Sequence, residues 1–185
     1  MMSATQQISL FLVDTLMTLY ILFLMARAIL EASQADFYNP VSQSVYKITQ
    51  PLLRLVRLVI PAVGVWDIGC WLLIYVMRVA ELFLIMLIQG ASWPIELLLR
   101  ISAFQVVEWL IQFYAIAIFI LAIASWFVSP VQMIKNPVLS LLNHIVTPLI
   151  APVRRFMPTV GVVDFSPLIV LLGLYLLLNI IRTFY

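Results

Sequence analysis

The chain has 185 residues, 65% of them hydrophobic and only 10% charged, with ten Lys and Arg against eight Asp and Glu for a net charge of +2. Ordinary soluble domains carry roughly 45–50% apolar and about 25% charged residues, so no soluble fold of this size buries so much apolar surface and lipid must be part of the solvent. The near balance of charge argues against a nucleic-acid partner, and a single cysteine, Cys70, excludes an internal disulfide and leaves no basis for a cysteine-built metal site.

Met1 to Ile8 contains no Lys or Arg, whereas a signal peptide needs a positive segment ahead of its apolar stretch. The first apolar run, about 8–30, is therefore expected to be a transmembrane helix inserted directly into a bacterial inner membrane. Asp14 falls in its outer half. Arg27, near the inner end, is expected to reach the interface along its aliphatic stem.

The segment about 39–60 opens on Asn39-Pro40. Its polar residues Gln43, Lys47, Gln50, Arg54 and Arg57 recur every three or four positions. On a helix they make one stripe, opposite Val41, Val45, Ile48, Leu52, Leu55 and Val59. Pro51 lacks an amide hydrogen and turns its predecessor away from helix, so two short helices lying in the membrane interface are expected here. Whether the apolar face meets lipid or packs beneath the transmembrane helices stays open. The segment closes on Pro61-Ala62-Val63-Gly64-Val65-Trp66-Asp67, in which glycine suits a tight turn and Asp67 suits the free amides that begin the next helix.

The second expected span is about 68–89. It carries Arg78 and, one turn later, Glu81. A charge at the centre of a membrane helix costs roughly 2.5–3.5 kcal/mol, so such residues are functional candidates unless they pair. Ile95 to Gln105, with Glu96 and Arg100, is too polar for a span and reads as an interfacial lead into the third, about 106–127, which begins near Glu108. A second interfacial segment, about 136–157, is followed by a fourth span, about 166–184. Unbroken apolar runs without alternation select helices over a barrel. Trp66, Trp71, Trp93 and Trp126 fall near span ends, as an interfacial aromatic belt requires.

Slid against itself, the chain repeats. At one offset of 97 residues Asn39-Pro40 coincides with Asn136-Pro137, Pro51 with Pro148, Arg57 with Arg154, Pro61 with Pro158, Gly64 with Gly161 and Asp67 with Asp164. The fold expected is thus all-α, with four transmembrane helices in two tandem units, residues 1–92 and 93–185, each running helix, amphipathic interfacial segment, helix. Two crossings per unit make the copies parallel, which disfavours an inverted-repeat transporter. Lys47, Arg54, Arg57, Lys135, Arg154 and Arg155 lie in the two repeated loops, so the positive-inside rule places both loops in the cytoplasm and both termini outside. None of the intramembrane charges recurs at the offset: Asp14 meets Ile111, Arg78 meets Tyr175 and Glu81 meets Leu178.

Asp36-Phe37-Tyr38-Asn39-Pro40, Thr49-Gln50-Pro51-Leu52, Pro61-Ala62-Val63-Gly64, and Arg154-Arg155-Phe156-Met157-Pro158 through Asp164-Phe165-Ser166-Pro167 resemble the YggT family, also called YlmG-like. The resemblance covers nearly the whole chain. It implies a small bacterial inner-membrane protein with relatives in chloroplasts, in a family associated with osmotic-stress tolerance and ion balance, with cell division, and with assembly of a haem-containing cytochrome complex. It supplies no catalytic residue.

No catalytic triad, phosphate loop or cluster of metal ligands stands out. The single histidine, His144, aligns with Lys47, and a haem held between helices usually takes two histidines, so no cofactor is expected. The leading expectation is a non-enzymatic scaffold or assembly factor whose loops present Lys47, Arg54, Arg57, His144, Arg154 and Arg155 to anionic phospholipid or another membrane protein; self-association is compatible with the sequence. The alternative is an ion channel or transporter using Asp14, Arg78, Glu81 and Glu108.

Overall fold

A computed structural model describes residues 3–60, 67–156 and 164–184. Pro61, Gly64, Pro158 and Gly161 of the repeated motif, and Trp66 of the aromatic belt, lie outside the described residues. Among the described residues there are seven helices and no strand: α1 (Ala4–Ala32), α2 (Pro40–Val56), α3 (Ile68–Gln89), α4 (Ile95–Phe127), α5 (Pro130–Lys135), α6 (Pro137–Phe156) and α7 (Ser166–Arg182). Helices α1, α3 and α4 are long and apolar enough to cross a bilayer; α7 is equally apolar in character but has 17 residues. The chain is thus an all-helical membrane protein.

The described residues fall into two compact units. The first holds α1, most of α2, α3 and the opening turns of α4. Ile21, Leu24, Met25 and Ala28 of α1, together with Leu73 and Ile74 of α3, are buried there. The second holds Ser33–Gln43, the remainder of α4, and α5 to α7. Its core joins Ala117, Ile118 and Leu121 of α4 to Val146 and Ile150 of α6 and Val170 of α7.

Two expectations about local structure change. The polar residues from Ile95 to Gln105 do not form a separate lead: they are the first turns of an unbroken helix of 33 residues. Nor do the prolines divide the interfacial segments. Both α2, with Pro51, and α6, with Pro148 and Pro152, run through as single helices. A proline inside a helix strands the carbonyl four residues back. For Pro51 and Pro148 those carbonyls belong to Lys47 and His144, which are exposed, so the freed groups need not be buried. Buried anchors beyond each proline, Leu53 in α2 and Ile150 in α6, hold the helix in register past the break.

Candidate functional site

The two interfacial helices begin by the same device. Asn39 accepts the amide of Val41 at 2.9 Å, and Asn136 accepts that of Val138 at 3.0 Å. In both, proline follows at the first helical position, where a missing amide hydrogen costs nothing. The two starts also meet. Asn39 Nδ2 donates to the carbonyl oxygen of Pro137 at 2.8 Å, so the repeated Asn-Pro motifs are joined directly.

They also end alike. Arg57 Nε donates to Asp67 Oδ2 at 3.1 Å, and Arg154 Nε donates to Asp164 Oδ2 at 2.8 Å. The other oxygen of each aspartate takes a backbone amide, that of Cys70 at 3.2 Å and that of Ser166 at 2.9 Å. Asp67 is thus the N-cap of α3 and clasps α2, whereas Asp164 stands one residue before Phe165, the N-cap of α7, and clasps α6 while accepting the first helical amide. Burial raises the pKa of Asp164, but Ser166 and Arg154 outweigh it and hold the carboxyl below its ordinary value. At Arg57 burial acts to lower the pKa and is likewise outweighed, by Asp67 and Glu31, so the guanidinium sits above its usual value.

The first unit adds a layer that the second lacks. Glu31 of α1 binds Arg57 at 3.2 Å and Arg27 at 3.1 Å. Arg27 is 1% exposed. Its Nη1 donates to Thr49 Oγ1 and Gln50 Oε1, both at 3.0 Å, and its guanidinium lies 4.3 Å from the centre of the Tyr46 ring. Arg27 is thus enclosed by α2 and does not snorkel. A buried guanidinium is tolerable because a carboxylate, two side-chain oxygens and an aromatic face replace its water. At the 97-residue offset Arg27 and Glu31 become Ala124 and Val128, so this layer cannot form in the second unit.

In the second unit His144 Nε2 lies 2.9 Å from the carbonyl oxygen of Ser33 and, facing a carbonyl, must be the donor. The ring forms part of the wall of an open groove of about 470 Å³ with Ser33, Ser140, Asn143, Thr147 and Pro148. Apart from Pro148, the lining side chains are polar groups able to form hydrogen bonds.

The basic residues separate into two sets. Arg57 and Arg154 are engaged by aspartates, while Lys47, Arg54 and Arg155 are exposed. The intramembrane charges separate as well. Arg78 and Glu81 pair at 2.7 Å, Thr18 donates to Glu81 at 3.0 Å, and Arg78 Nε donates to Gln105 at 3.0 Å. Asp14 is exposed on α1 of the same unit. Glu108 belongs to the other unit, where Arg182 Nε donates to it at 2.8 Å and Gln112 at 3.0 Å. Sequence reasoning missed Glu31, Thr49, Thr18, Gln105 and Arg182 as partners. Only Arg27–Glu31 had a signal, the spacing of four that sets opposite charges together on a helix. Among the described residues no group of three or more His, Cys, Asp or Glu is placed to hold a metal ion.

The chain is matched by the family model CCB3/YggT over residues 6–88 and 101–185. It is 34% identical over 170 residues to the uncharacterised protein YggT of Escherichia coli strain K12, covering 90% of this chain and 85% of that protein. It is 34% identical over 169 residues to an uncharacterised protein of Vibrio alginolyticus from the proC 3′ region, covering 89% and 88% respectively. An uncharacterised protein of Haemophilus influenzae is 32% identical over 167 residues, covering 90% of this chain and 87% of its own. No solved structure matches the chain. With its paired Asn-Pro helix starts and Arg–Asp closures, this multi-pass membrane protein belongs to the CCB3/YggT family.

Proposed function

We propose that the chain is a non-enzymatic scaffold or assembly factor of the bacterial inner membrane. In this reading it crosses the bilayer four times as two parallel repeats, residues 1–92 and 93–185, with both interfacial helices in the cytoplasm and both termini outside. The observation that carries it is the junction of the two loops: the Asn39–Pro137 and His144–Ser33 hydrogen bonds tie segments from both halves into one polar platform. The identical closures Arg57–Asp67 and Arg154–Asp164 support a duplicated unit. A platform built of capped and clasped helices is suited to holding a partner rather than to transforming a substrate. The partner is another membrane protein, docked on the exposed α6 face that carries Asn143, His144, Thr147 and Arg155.

The test is Asn143→Arg with Thr147→Arg, two exposed positions at which bulk and charge obstruct docking and leave the core intact. Proteins that co-purify with the unaltered chain are expected to be lost while the variant accumulates normally. If every such protein stays bound, the platform is not the docking face and the reading fails. The ion-conducting alternative draws less support, because Arg78–Glu81 and Glu108–Arg182 are neutralised pairs.

A further inference from the structure

Helix α2 has three faces where an ordinary surface helix has two. At 3.6 residues per turn, Val45, Thr49 and Leu53 share one sector, and all three are buried. Lys47, Gln50 and Arg54 share a second sector, roughly a third of a turn round, and all are exposed. Ile48, Pro51 and Leu55 share the third, and they are exposed too, Leu55 at 62% and Ile48 at 42%. Leu58 and Val59, just beyond the helix, are exposed as well. The helix contains no acidic residue. Thr49 and, from the edge of the second sector, Gln50 fix the helix to Arg27, which leaves an apolar strip beside a polar one whose only charges, at Lys47 and Arg54, are positive.

We infer that this double strip binds an anionic glycerophospholipid, with acyl chains along Ile48, Pro51 and Leu55 and the headgroup phosphate at Lys47 and Arg54. Charge complementarity selects the occupant. An aqueous partner leaves the apolar strip wet, and a second copy meeting this face brings Lys47 and Arg54 against their own like charges. A phospholipid supplies hydrocarbon and negative charge side by side, in the order in which the helix presents their complements. The corresponding face of α6 is different: Lys47, Gln50 and Arg54 become His144, Thr147 and Ala151, and Ile145, at the position of Ile48, is buried. The lipid contact is therefore assigned to the first half alone. The inference rests on the scaffold reading only in placing α2 in the cytoplasmic leaflet.

The test uses the purified full-length chain and needs no protein partner, so its outcome is separate from that of the docking experiment. In a Cys70→Ala background, a nitroxide at Leu55→Cys is examined in vesicles of phosphatidylcholine and phosphatidylglycerol. It is expected to collide with dissolved oxygen in preference to a water-soluble nickel chelate, and a nitroxide at Gln50→Cys to show the reverse. Collision at Leu55 mainly with nickel, or shielding there from both reagents, overturns the inference; the second result means that protein, such as another copy, covers the strip. Retained lipid is then counted by mass spectrometry after detergent extraction. Near an anionic surface each basic side chain gives about a fivefold preference, so Lys47→Gln with Arg54→Gln is expected to lower the ratio of phosphatidylglycerol to phosphatidylcholine about thirtyfold. Lys47→Arg with Arg54→Lys should preserve it and shows that the fold is intact. An unchanged ratio in the neutral variant also overturns the assignment.

Discussion

Replacing Asp67 should cost more than replacing Asp164, although the two occupy equivalent places in the repeat and each pairs with an arginine of the preceding helix. Asp67→Ala removes the N-cap acceptor of α3, worth about 1 kcal/mol, whereas Asp164→Ala removes only the bond from the Ser166 amide, worth about 0.5 kcal/mol. The ion pairs differ. The side chains of Arg57 and Asp67 are 28% and 3% exposed, against 58% and 31% for Arg154 and Asp164. The more enclosed pair, braced by Glu31, should contribute about 1 kcal/mol, whereas a pair open to water contributes a few tenths at most, roughly 0.2 kcal/mol. Asp67→Ala should then lose about 2 kcal/mol and Asp164→Ala about 0.7 kcal/mol. For a chain of this length that means a fall in Tm of about 4–8 °C for the first and about 1–3 °C for the second. The assay is thermal unfolding of purified protein in mild detergent, followed by tryptophan fluorescence. Two double-mutant cycles isolate the pairs from the caps: Arg57→Gln with Asp67→Asn should show coupling near 1 kcal/mol, and Arg154→Gln with Asp164→Asn coupling close to zero. Equal coupling in both cycles, or the larger in the second, refutes the view that enclosure and the Glu31 brace decide the strength of the clasp.

Three further outcomes are expected. Glu81→Leu leaves the guanidinium of Arg78 in the membrane without its carboxylate and should reduce accumulation sharply, a loss of about 3–5 kcal/mol, whereas Arg78→Leu with Glu81→Leu removes both charges and should accumulate near normally; immunoblots of membrane fractions measure both. The Asp164 carboxyl has a lowered folded pKa, so its stabilising contribution is complete above the ordinary value of 3.8 and is lost as pH falls through the lower folded value. The Tm difference between the unaltered chain and Asp164→Asn should therefore be constant from neutral pH down to about that value and vanish under stronger acid. Lys47→Cys and Arg154→Cys, each in a Cys70→Ala background, should resist an impermeant maleimide in intact cells and react after the inner membrane is opened; reaction of either in intact cells sets that loop outside.

What the sequence disclosed and what it hid divide along physical lines. The apolar runs about 68–89 and 106–127 announce α3 and most of α4, because a bilayer accepts few alternatives to an apolar helix. Asp67 is the helix cap that its position suggests, because capping is local chemistry, whereas the engagement of Arg57 and Arg154 by Asp67 and Asp164 had no local signal and withdraws those two arginines from the lipid or partner contact expected of them. Proline was over-read. Its effect depends on whether the stranded carbonyl is buried and on what holds the far side of the helix, and Leu53 and Ile150 are tertiary anchors that no local pattern reveals. Arg27 was misplaced for the same reason: its stem is long enough to snorkel, and only the arrival of Thr49, Gln50 and Tyr46 makes the enclosed position better. Spacing along one helix did place Arg78 with Glu81, but the further partners, Thr18 of α1 for Glu81 and Arg182 of α7 for Glu108, come from helices distant in sequence and could not be identified that way.

The lengths of α4 and α7 bear on the surrounding lipid. At 1.5 Å per residue α4 extends about 50 Å and α7 only about 25 Å, against a hydrocarbon layer of about 30 Å. Even a steep tilt of about 40° leaves α4 taller than the hydrocarbon, so its ends must stand among headgroups, whereas α7 taken alone falls short of that thickness. The polar opening turns of α4, with Glu96 and Arg100, are thereby carried out of the hydrocarbon to where water and phosphate meet them.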